Sequence, residues 1–207
     1  PTAGNLLHAQ SNLMQATCWI YANGGFPIVL GGGHEVAKGH ALGAYAAFPH
    51  ARVGHVNIDA HFDLREEVDG PTSGTSFFEL AAHRHAEGLP FDCLALGIQP
   101  AANTQTLFRT ARTLGVQHLT ADEISTDRLP PYSVHAIHRF AASLDAICLT
   151  LCMDVLDLAF APGVSAPQVA GLHPRHVKGL ITTAIATGKV LGLDIAETSP
   201  EHDPLQA

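Results

Sequence analysis

Three potential metal ligands alternate along residues 57–65, which read N-I-D-A-H-F-D-L-R. Asp59, His61 and Asp63 are each separated by one residue, and successive side chains of an extended backbone point to opposite faces, so all three start on one side. The preceding segment 52–58 favours β-structure, which places them at the carboxyl end of a strand, where parallel sheets bind ligands. A lone Asp or His there is usually a turn or surface residue. Two carboxylates flanking a histidine instead favour a metal site.

A further candidate ligand, His34, lies in the glycine-rich turn G-G-G-H-E of residues 31–35. This turn does not match the phosphate-binding fingerprints, because Val36 replaces the third glycine of G-x-G-x-x-G, and Lys38 is followed by Gly39 where a P-loop requires Ser or Thr. The zinc motif H-E-x-x-H fails at Lys38 as well. Two interpretations remain open: an ordinary strand-to-helix turn, or a turn that presents a histidine at the end of a strand.

Two more carboxylates follow apolar segments that are typical of strands. Residues 146–154 form the most apolar of these segments and end in Asp154, and residues 190–195 are followed shortly by Glu197. A carboxylate at the end of a buried strand is costly unless it is hydrogen-bonded or bound to a metal. Both residues are therefore candidates for the same site.

The rest of the chain alternates between helical and strand patterns, which predicts a parallel sheet covered by helices on both faces. Residues 72–76 are expected to cap the helix that follows them. No internal repeat or linker interrupts the pattern, so we predict one domain over residues 1–207. Helices are predicted at 5–22, 36–48, 77–87, 101–114, 131–144 and 173–187, and further strands at 26–30, which is expected to be buried, 93–98 and 116–119.

The composition indicates a globular protein and excludes several classes of function. Of 207 residues 46% are hydrophobic and 14% charged, and the formal net charge of −8 with only 11 Lys and Arg argues against binding to nucleic acid. No apolar run approaches the roughly 18 residues of a membrane span, and the N-terminus does not resemble a signal peptide, so we expect a soluble, cytoplasmic protein.

Most cysteines and histidines are expected to have structural or surface roles. The four cysteines form no C-x-x-C pair, and three lie in apolar strand-like segments, which favours buried thiols over disulfides. Most of the fourteen histidines have no carboxylate at ligand spacing and are assigned to the surface; they include His83, His85, His135 and His138.

His34, the central motif and Asp154 all follow strands, so they are expected to meet at one edge of the sheet. Carboxylate and imidazole donors favour ions such as Mn²⁺ over ions that prefer thiolate ligands. Two such ions roughly 3.5 Å apart could share a water molecule and lower its pKa. The sequence therefore predicts a binuclear metal centre.

These motifs resemble the ureohydrolase family of arginases, agmatinases and formimidoylglutamases over essentially the whole chain. The three family signatures match residues 31–35, residues 59–63, and the strand to Asp154 with the following segment 157–163. The G-G-G-H-E form, the continuation to Arg65, and the T-S-G-T and A-P-G-V-S-A-P stretches look most like formimidoylglutamase.

The resemblance implies an arginase-like three-layer α/β/α sandwich with a mainly parallel sheet, truncated at both ends of this chain. It implies hydrolysis of N-formimidoyl-L-glutamate to L-glutamate and formamide in histidine degradation. Asp59 would bridge two Mn²⁺ ions, Glu197 would meet the amidine nitrogen of the substrate, and Arg65 would bind its carboxylates. The implied metal ligands are His34, Asp59, His61, Asp63 and Asp154.

One departure from the family pattern leaves alternatives open. Cys152 stands where the family has the first Asp of Asp-x-Asp, which bridges both metals there, so a thiolate could bridge them here, or one metal could lack a ligand. The alternatives are a hydrolase of a guanidino compound such as agmatine, and a metal-deficient family member that acts as a binding or assembly subunit. The expected partners are a small amidine or guanidino substrate and, in a homo-oligomer, further copies of the chain.

Overall fold

Six parallel strands form one sheet in the computed structural model, which describes residues 3–68 and 70–204. The spatial order is β1-β6-β5-β2-β3-β4, with β1 and β4 at the edges. The termini that carry Pro1 and residues 206–207, from which truncation was expected, lie outside the described residues. The strands are β1 (Ile28–Leu30), β2 (Val53–Ile58), β3 (Cys93–Ile98), β4 (Gln117–Thr120), β5 (Ala146–Cys152) and β6 (Val190–Ala196).

Helices cover both faces of the sheet, and each face has its own apolar core. Strand side chains alternate between the two cores, so that Leu149 lies in one and Cys148 in the other. Helices α1 to α4 pack on the Cys148 face and α5 to α7 on the Leu149 face, which confirms the predicted three-layer α/β/α fold. The helices are α1 (Ala3–Ala22), α2 (Val36–Ala47), α3 (Ser76–Ala86), α4 (Gln105–Thr113), α5 (Ala121–Ile124), α6 (Pro131–Ala142) and α7 (Pro174–Ala186).

The first strand differs from its predicted environment. Segment 26–30 was expected to be buried, but Ile28 and Leu30 are 62% and 78% exposed. β1 pairs only with β6 among the described strands and therefore lies at an edge of the sheet. An apolar run identifies a strand, whereas its place in the sheet is a tertiary property.

Two helical segments also differ from the prediction. The segment 101–114 begins as a short 3₁₀ turn at Pro100–Ala102, and α4 starts only after Thr104, whose side chain accepts a hydrogen bond from Leu107 N–H as an N-cap. The four-residue helix α5 was not predicted, because one turn is too short to show helical periodicity. The expected side-chain cap of α3 is not formed: Thr72 and Thr75 make a capping box for the preceding 3₁₀ turn Ser73–Thr75, and Thr75, the N-cap of α3, makes no side-chain capping bond to that helix.

Strand register brings the ends of neighbouring strands together. Ile58 pairs with Leu151, so the residues that follow them, Asp59 and Cys152, lie side by side. Cys152 also pairs with Ala196, the residue before Glu197. The sheet thus gathers the predicted groups at the carboxyl ends of four adjacent strands, β1, β6, β5 and β2.

Gly97 allows β3 to pass close to the residues that follow β2 and β5. Its φ is +103°, and a Cβ atom at this position would lie 2.4 Å from Cγ2 of Val155 and 3.3 Å from the carbonyl oxygen of Asp59. A larger residue would be strained in its backbone and would collide with the turn after β5.

Thiols and most histidines lie where they were expected, with informative exceptions. All four cysteines are free, and Cys93, Cys148 and Cys152 are buried. The four histidines named above as surface residues are exposed. In contrast, His40, His55 and His176 are buried and hydrogen-bonded. Within residues 3–68 and 70–204, no helix is both long and apolar enough to cross a bilayer.

Candidate metal centre

His34 contacts two carboxylates from the central motif. The turn after β1 places its Nδ1 atom 2.9 Å from Oδ2 of Asp59 and 2.9 Å from Oδ2 of Asp63. Its Nε2–H donates to Oγ1 of Thr150 at 2.6 Å, which fixes the plane of the ring. His34 is 1% exposed and Asp59 0%, so these groups form a buried cluster of imidazole and carboxylate donors.

His61 makes a second set of contacts with carboxylates. Its Nδ1 atom lies 3.1 Å from Oδ2 of Asp154 and 3.6 Å from Oδ1 of Asp59. The strand predicted at 146–154 was expected to end in Asp154. The observed β5 ends at Cys152, and Asp154 lies in the 3₁₀ turn that follows it. The His61 side chain is 18% exposed, so this part of the cluster is more open to solvent.

Asp59 lies between the two sets, with one carboxylate oxygen directed to each. Oδ2 faces His34 and also accepts from Asn57 Nδ2 at 3.3 Å, whereas Oδ1 faces His61 and accepts from its backbone N–H at 2.8 Å. Burial opposes ionisation of Asp59, but the hydrogen bonds from His34 and His61 outweigh it and hold the pKa of Asp59 below its usual range. The two oxygens of this carboxylate therefore face different histidines.

The cluster strongly favours positive charge. Burial lowers the pKa of His61, but hydrogen bonds to Asp154 and Asp59 outweigh burial and raise that pKa to about 11. The same balance, with bonds to Asp59 and Asp63, raises the pKa of His34 well above its ordinary value. Burial and the charge of Asp59 raise the pKa of Asp154 to about 6 and also raise that of Asp63. Closely spaced carboxylates that need cations beside them are typical of metal sites.

Cys152 ends β5 inside this cluster and is 1% exposed. Its Sγ atom, an imidazole nitrogen of His34 and a carboxylate oxygen of Asp59 all lie within 4.8 Å of one another. Burial and the charges of Asp59, Asp154 and Asp63 raise the pKa of the Cys152 thiol. Asp59, His61 and Asp154 form a second group that meets the same distance limit.

The residues fit divalent cations by their chemistry and by their incomplete hydrogen bonding. Imidazole, carboxylate and thiolate are all ligands of divalent transition metals. Among the described residues, Oδ1 of the buried Asp154 has no hydrogen-bond partner, although it lies beside His61 and Asp59. A buried carboxylate oxygen without a partner is costly, and a metal ion would satisfy it.

Glu197 follows β6 and is held firmly at the rim of the cluster. Its carboxylate accepts from the backbone N–H of His34 at 2.8 Å and from the hydroxyl of Ser165 at 2.9 Å, and its own N–H donates to the Gly32 carbonyl at 2.7 Å. Its φ of +66° is in the left-handed region, which is strained for a non-glycine residue. A Cβ atom on Gly33 would crowd this carboxylate at 3.2 Å, so glycine there leaves it room.

Arg65 and Glu197 line the same small cavity. Its backbone N–H donates to the Gly74 carbonyl, and a Cβ atom on Gly74 would meet its side chain at 3.2 Å, so the glycine makes room for it. The cavity has a volume of about 180 Å³, which suits a small molecule. It is lined by His61, Asp63, Arg65, Ser73, Gly74, Cys152, Asp154, Ser165, Ala166 and Glu197.

The structure brings together all of the predicted site residues, and it adds three that sequence reasoning did not identify. Thr150 contacts His34, Ser165 contacts Glu197, and Gln168 Nε2 lies 3.5 Å from His61 Nε2. Thr150 carried a usable signal, because it is a hydroxyl residue in an apolar strand with the same parity as Cys152. Ser165 and Gln168 lie in and beside a loop with no periodic pattern, so only the folded chain reveals their contacts.

Comparison with known proteins identifies the family. The pattern of the arginase family matches residues 2–207. The formimidoylglutamase of Geobacillus thermodenitrificans is 39% identical over 97% of this chain, and the chain spans 61% of that protein's length. The crystal structure of Bacillus subtilis formimidoylglutamase superposes with a TM-score of 0.85 at 24% identity, over 95% of this chain and 61% of that one.

A solved formiminoglutamase variant from Trypanosoma cruzi, described with Mn²⁺, has a TM-score of 0.84 at 24% identity and covers 97% of this chain and 66% of that one. These likenesses in structure carry the fold, and the family pattern extends over nearly all of the sequence. The chain belongs to the arginase family.

Proposed function

We propose that the protein hydrolyses the C–N bond of N-formimidoyl-L-glutamate, which consumes one water and yields L-glutamate and formamide. The observation that carries this proposal is the arrangement of charge in the cavity: Glu197 and Asp154 line it together with Arg65. A substrate with a cationic amidine at one end and carboxylates at the other matches this arrangement. The relatives named formimidoylglutamase support the same substrate.

The roles of the lining residues follow from their charge and geometry. Glu197 would accept hydrogen bonds from the amidinium nitrogens, since its carboxylate is already fixed by His34 N–H and Ser165. Arg65 would bind a substrate carboxylate with its planar fork of N–H donors. Together the two residues would set both ends of the substrate across the cavity and hold the amidine carbon next to the ligand cluster.

The ligand cluster would hold a pair of divalent cations. His34, Asp59, Asp63 and Cys152 would bind one ion, and Asp59, His61 and Asp154 the other. Bound there, the ions would lower the pKa of a water molecule and polarise the amidine carbon towards attack. The nitrogen and oxygen donors of the second set suit Mn²⁺, and the relative described with Mn²⁺ supports that ion.

The substrate assignment is tested with Arg65→Met and Arg65→Lys. We expect Arg65→Met to raise KM for N-formimidoyl-L-glutamate at least about ten-fold with little change in kcat, because a charged hydrogen bond contributes roughly 1.5–3 kcal/mol. Arg65→Lys keeps the charge and should lose less. Unchanged KM in Arg65→Met would contradict the role of Arg65, and absence of formamide from the metal-loaded chain would overturn the proposed activity.

A guanidino substrate is the second candidate, because the same cluster could act on a guanidinium carbon. Its product would be urea instead of formamide, so product analysis separates the two. Arg65 disfavours agmatine in particular, since agmatine carries a second cation where the cavity already has one.

A metal-deficient binding subunit is the third candidate, and it predicts that the chain holds at most one ion after loading with Mn²⁺.

A further inference from the structure

Arg84 is a buried arginine near the end of the sheet that lies opposite to the metal centre. It belongs to the last turn of α3, and only 5% of its surface is exposed. Its guanidinium group lies over the ring of Tyr45, with 4.5 Å between Cζ and the ring centroid. A guanidinium ion removed from water is costly unless its N–H groups find acceptors. The acceptors around Arg84 therefore decide whether its charge is compensated.

The protein supplies few acceptors to this guanidinium group, and they are distant. Nε–H donates to the Pro90 carbonyl at 3.4 Å, and Nη1 donates to Oε2 of Glu87 at 3.4 Å, both beyond the usual length of such bonds. The Glu87 side chain is 44% exposed and also lies 3.6 Å from Nε2 of His83. A guanidinium group has five N–H donors. Two are used in these bonds, and the other three have no acceptor among residues 3–68 and 70–204.

Two neighbouring cavities lie beside Arg84. Their volumes are about 300 and 340 Å³, and Pro49, Arg84 and Leu89 line both of them. The larger cavity lies between the loops that lead into β2 and β3, at the amino ends of these strands. Because β2 has six residues, this cavity is about 20 Å from the metal centre at the other end of the strand. The two sites are therefore separate.

Basic side chains line the larger cavity. Its lining includes His50, Arg52 and Arg84, and its other members are uncharged, so no carboxylate lines it in the described part of the chain. The fork of Arg52 is already bound by both oxygens of Asp92, at 2.8 Å each. Arg84 is therefore the guanidinium group in this cavity that is free to bind a further anion.

We propose that the larger cavity binds a small oxyanion, a carboxylate or a phosphate, through the unused N–H donors of Arg84. Two neighbouring donors of a planar guanidinium group match two oxygens of either anion. The anion neutralises the buried charge and accepts the bonds that the protein leaves unmade. Because Arg84 is already held against Tyr45, binding costs little side-chain entropy. This site is independent of the metal centre and of the substrate proposed above.

NMR titration of the chelator-treated chain tests the proposal, with inorganic phosphate and acetate as separate probes. Removal of metal ions prevents either anion from binding to them. We expect saturable shifts of the backbone amide signals of residues 50–52 and 84–89, and the probe with the lower dissociation constant identifies the class of anion. No saturable shift of these signals with either probe would overturn the proposal.

Arg84→Met tests the binding residue, because methionine retains an apolar contact with Tyr45 but has no charge and no N–H donor. We expect the dissociation constant to rise at least about ten-fold, since charged hydrogen bonds are lost. Arg112→Met is the matched control, as Arg112 is an exposed arginine in the last turn of α4. Equal affinity of Arg84→Met and the wild type would contradict the site.

Glu87→Gln separates an anion site from an arginine that serves only in an ion pair. Glu87 borders the smaller cavity, and its charge competes with an incoming anion for Arg84. Removal of that charge should strengthen binding of the tighter probe about two-fold or more, because a nearby like charge is lost. Unchanged or weaker binding in Glu87→Gln would refute an anion site at Arg84.

Discussion

At the scale of single residues, the site is built from side chains whose positions are fixed by other side chains. Glu197 adopts a left-handed backbone conformation and is bonded by Ser165, His34 and Gly32. Residues held in such conformations persist only where surrounding contacts determine them. The same dependence links His34 to Thr150.

Replacement of Ser165 with alanine removes a hydroxyl that positions Glu197. We expect Ser165→Ala to lower kcat/KM for N-formimidoyl-L-glutamate about five-fold, because a partly exposed hydrogen bond contributes about 1 kcal/mol. Ser165→Thr retains the hydroxyl and serves as the control. The loss should be mainly in kcat, since a mobile Glu197 still binds the amidine but holds it in fewer productive orientations. Equal kinetics for the alanine variant and the wild type would remove Ser165 from the site.

Replacement of Thr150 with valine should weaken metal binding without emptying the core. Valine has nearly the shape of threonine, but it leaves Nε2 of the buried His34 without its partner. Partners of metal-binding histidines typically contribute about 10–100-fold to affinity, and we expect a loss in that range for an ion bound by His34. Titration calorimetry with Mn²⁺ measures this loss. An unchanged dissociation constant would show that Thr150 does not orient His34.

At the scale of secondary-structure elements, a buried chain of hydrogen bonds joins α1, α2 and β6. The hydroxyl of Tyr21 donates to His40, and His40 donates to Asp194 at 2.6 Å. All three side chains are buried, on the face of the sheet away from α6 and α7. Because β6 leads directly to Glu197, this chain supports the strand that delivers a site residue.

The cost of breaking this chain depends on which member is removed. Tyr21→Phe loses one hydrogen bond and should lower the free energy of unfolding by about 1 kcal/mol. His40→Leu leaves the buried Asp194 carboxyl without its partner and should cost about 1–3 kcal/mol or more. His138→Ala, at an exposed position of α6, should stay within about 0.5 kcal/mol. Urea denaturation provides the measurement, and equal effects for Tyr21→Phe and His40→Leu would contradict this ranking.

At the scale of the whole molecule, the candidate metal centre joins segments that are distant in the chain. His34, Asp59 and Asp154 follow β1, β2 and β5, and their acidic cluster needs positive charge to be stable. Cations bound there would cross-link these three segments in the folded state only.

We therefore expect Mn²⁺ to raise the thermal stability of the chelator-treated chain. A ligand present at 100 times its dissociation constant stabilises the folded state by about 2.7 kcal/mol. For a chain of this size, each kcal/mol raises Tm by about 2–4 °C, so the shift should be about 5–10 °C. Thermal unfolding monitored by circular dichroism measures this shift. The shift should be smaller in Asp154→Asn. No shift at millimolar Mn²⁺ would argue against a metal centre in this chain.

The sequence alone determined the order of most elements and the residues that could do chemistry. Apolar runs and helical periodicity located β3 at its observed bounds and most other elements within a few residues, because local patterns reflect burial. The rule that ligands gather at the carboxyl ends of parallel strands led from His34, Asp59 and Asp154 to one expected cluster. Their roles as ligands stay a prediction.

Only the tertiary structure decided how these residues are arranged and what supports them. The strand order made β1 an exposed edge, and the register set Asp59 beside Cys152. The division of the cluster into contacts with His34 and contacts with His61 depends on which carboxylate oxygen of Asp59 faces which histidine. Contacts across more than a hundred residues, such as His34 with Thr150, leave no periodic trace in the sequence, because they arise from packing between elements.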